Sequence, residues 1–360
     1  MTSTRMKWLT MSGDNQPYWH KIEHKSKSLR GQDAKIQQRE MAKYVLDDKA
    51  AEKVIVTDTW IIRLAPLMGV AILLLGVILT VMGQWWFGIC ALVITLIDLA
   101  FVWSRIRHRA RTAKYSLVHE AIMPYFKPEI YLAYKQLPED VIREADICDE
   151  WDSAVMSDYF LGSWKGVQFE FGDLTLRGKR IGNTTVEPLF MGQLFIIETG
   201  LNLVNPISIR ERLEPLSQEV YEGRKNSERF FLTGNEQFDR QFDVRLGSSH
   251  CVNGFEDGVD GKSVADIRKE AHDIVDVLAA DIIEADSYAV SRTSMRFAGN
   301  RLYLAIENTR DSFEFHRGDE KDIAMMRQRF DEEIKDMTLY LDLITKGLEN
   351  ISPKEARRME

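Results

Sequence analysis

Hydrophobic positions along this chain fall into two continuous blocks and a long remainder with mixed periodicity. Leu64 to Met82 is 19 residues without a charge, and Trp85 to Trp103 is another 19 whose only charge is Asp98. At 1.5 Å per residue each block makes a helix of roughly 28 Å, close to the hydrocarbon thickness of a bilayer. A core helix in a water-soluble protein is the alternative, but two consecutive full-length blocks argue for two transmembrane helices, about 60–82 and 85–104. Gly83 and Gln84 alone separate them, so residues 58–104 read as a transmembrane helical hairpin with a tight turn.

The flanking segments have different periods. Residues 1–30 lack hydrophobic periodicity and are expected to be mobile, and 32–56 read as a polar helix, the two making a cytoplasmic N-terminal segment, 1–57. A basic juxtamembrane helix is predicted from Arg105 to Met123 within 105–135, with Pro124 and Pro128 ending it. From 136 to 318 short alternating runs predict mainly antiparallel strands. They are Val167, Phe169 and Phe171; Leu174 and Leu176; Leu189 to Ile197; Leu201 to Ile209; and a segment with Phe238, Phe242 and Val244. Gly172-Asp173, Gly178, Gly182-Asn183 and Gly200 read as turns, and Gly162 and Gly166 as turn glycines leading into the first strand. Ser263 is a candidate N-cap for a helix whose apolar face is Val264, Ile267, Ala271, Ile274, Val275, Leu278 and Ile282. Met295 and Phe297, a Gly299-Asn300 turn, and then Leu302, Leu304 and Ile306 read as a hairpin, with Phe313 and Phe315 continuing the alternation. A C-terminal amphipathic helix within 319–360 carries Ile323, Met326, Phe330, Ile334, Met337, Leu341, Ile344 and Leu348 in near-heptad spacing. It packs on its own sheet or joins subunits as a coiled coil. The fold class is therefore α+β: a two-helix transmembrane hairpin and a β-rich domain with packed helices and a long C-terminal helix.

Charge sets the orientation. Arg105, Arg107, Arg109, Arg111 and Lys114 follow the second block with no acid among them, and Lys53 and Arg63 precede the first; the turn is uncharged. By the positive-inside rule both termini are cytoplasmic and the chain is a multi-pass protein of the inner membrane. Trp60 and Trp103 mark one interface, and Trp85, Trp86 and Phe87 the other. The first 55 residues hold no apolar run of a signal peptide. Up to Lys114 there are 17 basic and 9 acidic residues, and beyond it 30 and 46. The basic part suits an anionic lipid bilayer as partner, and the acidic part excludes nucleic acid. Asp98 is the one ionisable residue inside the membrane, read as structural, satisfied by water or by Arg63, or as an ion- or proton-handling group. Pro66, Gly69, Gly88, Ala91 and Thr95 offer small surfaces for helix contact.

Catalytic signatures are absent. There is no phosphate loop, dinucleotide fingerprint, nucleophile elbow or kinase motif, and His119-Glu120 lacks the second His of a zinc-protease helix. Cys90, Cys148 and Cys251 are too far apart for a metal site or a disulfide framework. His250-Cys251 is a weak nucleophile pair, because sequence neighbours on a strand point apart. Asn253 to Gly261 is acidic and Gly-rich, a solvated turn or a metal loop of irregular spacing. No cofactor, metal or catalytic residue is assigned.

Several short stretches resemble the bacterial domain-of-unknown-function 3137 (DUF3137) family. They are Ser157-Asp158-Tyr159 with Gly162, Gly166-Val167-Gln168-Phe169-Glu170, Leu189-Phe190-Met191-Gly192-Gln193-Leu194-Phe195, Phe238 with Phe242-Asp243-Val244, and Phe297 with Gly299-Asn300 and Leu302-Tyr303-Leu304-Ala305-Ile306. The resemblance covers about 55–320 and implies two spans, a basic helix and an α+β cytoplasmic domain, with no activity to carry over. The expected function is a membrane-anchored, non-enzymatic binding or scaffolding protein, with a protein partner or self-association through the C-terminal helix. The rivals are an enzyme assembled from distant groups such as Asp158, Glu170, Glu198 and His250, and an oligomeric transport component using Asp98.

Overall fold

The computed structural model describes residues 48–126, 130–132, 137–148, 150–179, 185–225, 231–247, 264–288, 292–308, 312–314 and 323–356. The expected N-terminal mobility, Ser263, Phe315, His250, Cys251 and the Asn253–Gly261 loop lie outside them.

Two long helices open the described part. Helix α1 spans Asp48–Val81 and α2 spans Trp85–Thr112. The expected break between a polar helix and the first span does not occur. Residues 48–56 continue straight into the apolar block, because no Gly or Pro intervenes before Pro66. The turn between the helices is a Schellman motif: Gly83 takes a left-handed φ of 89°, its N–H donates to Thr80 O, and the Gln84 N–H donates to Leu79 O. Helix α2 does not stop at its last arginine. It passes through a π-helical stretch, Ala113–Val118, into α3, His119–Phe126, making one rod. Pro124, expected to break it, sits within α3 instead. A proline so close to a helix C-terminus disrupts only the final turn.

The sheet has six antiparallel strands among the described residues: β1 Ile130–Leu132, β2 Ser153–Trp164, β3 Val167–Lys179, β4 Val186–Glu211, β5 Phe242–Leu246 and β6 Thr293–Glu307. Strand β1 lies inside the stretch assigned to the juxtamembrane helix, and it pairs with β2. The sequence divides the ribbon too finely. Gly172-Asp173 is no turn, since β3 runs through it in register with Leu194 and Gln193 of β4. Gly200 (φ 71°) and Gly299 (φ 59°) are matched bends, not strand ends. Strands β4 and β6 pair on both sides of them, Ile197 with Leu302 before and Ile207 with Phe297 after. The expected Gly299-Asn300 hairpin is therefore one bent strand. Left-handed glycines mark irregular backbone, but the hydrophobic pattern cannot say whether the chain reverses there or bends. Along its other edge β4 pairs with β3 and then β5.

Among the described residues four further helices decorate the sheet, α4 Glu139–Glu144, α5 Gln218–Lys225, α6 Glu236–Gln241 and α7 Val264–Tyr288, and a long helix, α8, follows at Ile323–Ala356. Phe238 belongs to α6, capped by Asn235, while Phe242 and Val244 are in β5. Phe313 continues no strand. It occupies a turn with φ 56° and is buried against Phe171 and Phe330.

One sheet face carries the main core. Phe169, Phe171, Phe195, Ile197, Ile207, Phe297 and Leu304 meet the apolar faces of α7 and α8 and the end of the rod at Leu117, Val118, Ile122 and Phe126. The heptad-like stripe of α8, from Met326 to Leu348, is buried within this chain. Gly347 seats against the Leu278 side chain of α7, and Lys346 bonds Asp281 at 3.1 Å. The opposite sheet face is closed by α4 and the segment after it. There Tyr303 donates to Glu144, and Asp146 binds Arg210 and Arg296.

Candidate functional site

The helical hairpin is zipped by small residues. A methyl on Gly76 would overlap the Ala91 methyl, and Gly88 sits against the Thr80 hydroxyl. A Cβ on Gly69 would stand 2.6 Å from Asp98 Oδ2. Thr95 donates to the Ala91 carbonyl at 2.8 Å and reaches Gly69 O at 3.4 Å. Asp98 thus faces Gly69, and its Oδ2 is buried without a hydrogen-bond partner among the described residues. Arg63, weighed beside water as a partner for Asp98, stands on the antiparallel helix more than a turn beyond Gly69, toward the basic end.

The outer surfaces of both helices are apolar and exposed. Leu67, Leu74, Ile78, Leu96, Ile97 and Leu99 are each more than half exposed, and both helices are long and apolar enough to cross a membrane. Trp60 and Trp103 stand at one end of this belt, with the stacked rings of Trp85 and Trp86 at the other. A monomer in water rarely exposes a contiguous apolar patch above roughly 300–600 Å²; a belt around two full-length helices is well beyond that.

Just past Trp60 and Trp103 the helices exchange polar contacts. Asp58 is 2% exposed; it accepts from Arg105 at 3.2 Å and lies 2.8 Å from His108 Nδ1. Arg109 donates to the Thr59 hydroxyl at 3.1 Å, and that hydroxyl donates to Ile55 O. The sequence reading marked Arg105 and Arg109 but missed Asp58, Thr59 and His108.

Further along the rod, the π-helical stretch delivers Lys114 into the domain. Its Nζ donates to Asp158 Oδ2 at 2.7 Å and to Glu314 Oε1 at 2.8 Å, while the Tyr131 hydroxyl donates to Asp158 Oδ1 at 2.6 Å. Asp158 is wholly buried, with φ 50°, at the register shift between Ser157 and Phe160 in β2. A π-turn, a β-bulge and a left-handed non-glycine residue therefore meet at one ion pair, and each of these irregularities recurs at functional positions. The rod then ends on the sheet: the Phe126 ring packs 5.5 Å from Phe160 and 5.3 Å from Phe169. Gly162 is not a turn residue. A Cβ there would lie 3.1 Å from Phe126 O, so it leaves room for the helix end. Gly166 does serve the β2–β3 turn, with Lys165, both at positive φ. Two polar bonds fix the same corner, Tyr125 to Asp331 and Trp164 to Asp342, each at 2.6 Å.

Of the acidic groups proposed for an assembled enzyme site, Glu170 and Glu198 both lie near Arg301. Asp158 is committed to Lys114 and Tyr131, Glu170 accepts from Tyr159 at 2.8 Å, and Glu198 is exposed opposite Arg301 on the β4–β6 ribbon. Among the described residues no three His, Cys, Asp or Glu side chains are grouped to hold a metal ion. One carboxyl held well above its ordinary range is Asp286 on α7. Burial, and then its bond to and repulsion from Glu211, push it up to about 7. Gln241 donates to it at 2.5 Å, and the Thr293 N–H donates to Glu211.

No family model matches this sequence, and no curated protein does. Among solved structures, the crystal structure of the mycobacterial trehalose monomycolate transport factor A is similar at a TM-score of 0.28 and 9% identity, over 62% of this chain and 92% of that one. At that score the likeness does not establish a common fold.

Proposed function

We propose that this protein is a multi-pass inner-membrane protein with both termini in the cytoplasm, whose α+β domain is a non-enzymatic binding or scaffolding module held at the bilayer surface. The observation that carries the reading is the belt of exposed apolar side chains on α1 and α2, ending in tryptophans and then arginines. Lipid is the solvent that such a surface requires. The rod that leaves the belt enters the domain core without a linker, through Lys114 and Phe126, so the domain's position is fixed relative to the bilayer. Binding is favoured over catalysis because Asp158 and Glu170 are each committed to a structural partner. The resemblance to the DUF3137 family agrees with this architecture and adds no activity. The α8 stripe is consumed within the chain, so a protein partner would meet other surfaces; Met325 and Leu339 lie exposed on the outer side of α8.

A second reading, transport by an oligomer, has one observation in its favour: the unpartnered Asp98 oxygen between the helices. Photo-crosslinking from positions 325 and 339 in native membranes, followed by mass spectrometry, separates the two. A discrete protein adduct at those positions supports a scaffold. Adducts confined to a second copy of this chain, with ion flux lost in Asp98→Asn, would establish the oligomer instead.

A further inference from the structure

The four arginines after the second apolar block look alike in sequence and are not alike in the fold. Successive members are two residues apart, a rotation of roughly 200° on a helix, so they alternate between opposite faces. Arg105 and Arg109 turn toward α1, where Asp58 and Thr59 receive them. Arg107 and Arg111 turn the other way. With Ala100, Trp103, Ser104 and His108 they line an open pocket of about 390 Å³. We propose that this pocket seats the phosphate-bearing headgroup of an anionic glycerophospholipid of the inner leaflet. The proposal rests on the membrane reading and deepens it by naming the lipid class and the residues that select it.

Level, charge and shape agree. Trp103 ends the apolar belt, and Arg107 lies one turn beyond it, about 6 Å along the axis. The headgroup layer is about 5–8 Å thick on each side of the hydrocarbon, which puts Arg107 among the phosphates; Arg111, about 12 Å past Trp103, is rooted outside that layer, and side chains on this helix lean back toward it. The Arg107 guanidinium lies 5.1 Å over the Trp103 ring, which steadies its planar fork of donors. A fork held in place is suited to a phosphate's paired oxygens. Ser104 contributes a hydroxyl, and the floor of Ala100 and Trp103 is apolar, as the glycerol end of an acyl chain requires. The described lining contains no acid. His108 is anchored through Nδ1 to Asp58, so the pocket wall is braced from the α1 side.

The test uses the full chain, first as carbonate-washed membranes and then in detergent for native mass spectrometry, titrated with phosphatidylglycerol, phosphatidylcholine or inorganic phosphate. Two cations beside one headgroup give a preference for phosphatidylglycerol over phosphatidylcholine of about 30-fold. Arg107→Gln with Arg111→Gln should bring that preference close to unity while the protein stays in the membrane pellet. Arg177→Gln with Lys179→Gln, the same charge change at exposed positions far along β3, should leave it intact. The proposal is overturned if the first pair keeps the preference, if the second pair loses it equally, or if inorganic phosphate displaces the lipid. Wild-type protein in the carbonate supernatant would overturn the membrane reading itself, an outcome distinct from a membrane-bound protein that shows no headgroup preference.

Discussion

Replacing Lys114 by Met tests whether the ion pair at the rod–domain junction holds the two parts together. The substitution keeps the length of the aliphatic stem and removes the charge-assisted hydrogen bonds to Asp158 and Glu314. Of the two carboxylates left behind, Glu314 is 35% exposed and can be solvated, whereas Asp158 is fully buried and loses its lysine while the Tyr131 hydroxyl stays bonded to it. Stranding one partner of a buried pair costs about 3–5 kcal/mol. For a domain of this size about 1 kcal/mol moves Tm by about 2–4 °C, so Lys114→Met should melt roughly 6–20 °C below wild type. Adding Asp158→Asn removes the stranded charge, keeps a group that can accept from Tyr131, and uses a residue that tolerates the left-handed backbone at position 158. The double variant should therefore recover about half of the loss. Thermal unfolding of the detergent-solubilised chain, followed by tryptophan fluorescence, reads both. A single variant within about 3 °C of wild type, or a double variant no better than the single, would refute the reasoning.

Two other outcomes follow from packing and from charge. Gly76→Ala should loosen the helical hairpin by about 1–3 kcal/mol, because its methyl overlaps that of Ala91, and Gly76→Ala with Ala91→Gly should restore it; resistance of the turn to protease measures both, and unchanged resistance in the single variant would contradict the close approach. Asp286, raised from 3.8 to about 7 first by burial and then by Glu211, is favoured as the protonated acid in the folded state. Its contribution to stability is full below about pH 4, falls as pH rises through about 7, and stays lost above that. Tm should drop across this window in the wild type and drop less in Asp286→Asn; a profile identical in the two proteins would remove Asp286 as the cause.

What the sequence discloses depends on the range of the signal. The apolar blocks, the α7 face and the α8 stripe were legible because each is a local period, and the buried residues fall where those periods put them. In the helical hairpin the small contact residues were marked but not their pairings, which emerge only when the chain is folded about Gly83-Gln84. Residues equidistant from that turn meet, Gly76 with Ala91 and Gly69 with Asp98, and Asp58 with His108 is one residue off that rule. Asp58 escaped notice because an acid beside a membrane block looks like an exception to the positive-inside pattern until its partner across the turn is counted. The strand count failed where a glycine at positive φ has two outcomes, reversal or bend, and Gly200 and Gly299 both bend because β4 and β6 stay paired across them. The junction was hidden for another reason. Lys114 stands 44 residues from Asp158 and 200 from Glu314, and nothing local distinguishes it from the arginines before it.

The most direct measurement concerns which side of the membrane each end of the rod occupies. In a chain whose own cysteines, Cys90, Cys148 and Cys251, are replaced by serine, Gln84→Cys and Lys179→Cys are each treated with a membrane-impermeant maleimide on spheroplasts. The account expects Gln84→Cys to react at once and Lys179→Cys only after permeabilisation. Labelling of Lys179→Cys on intact spheroplasts, with Gln84→Cys protected, would contradict it.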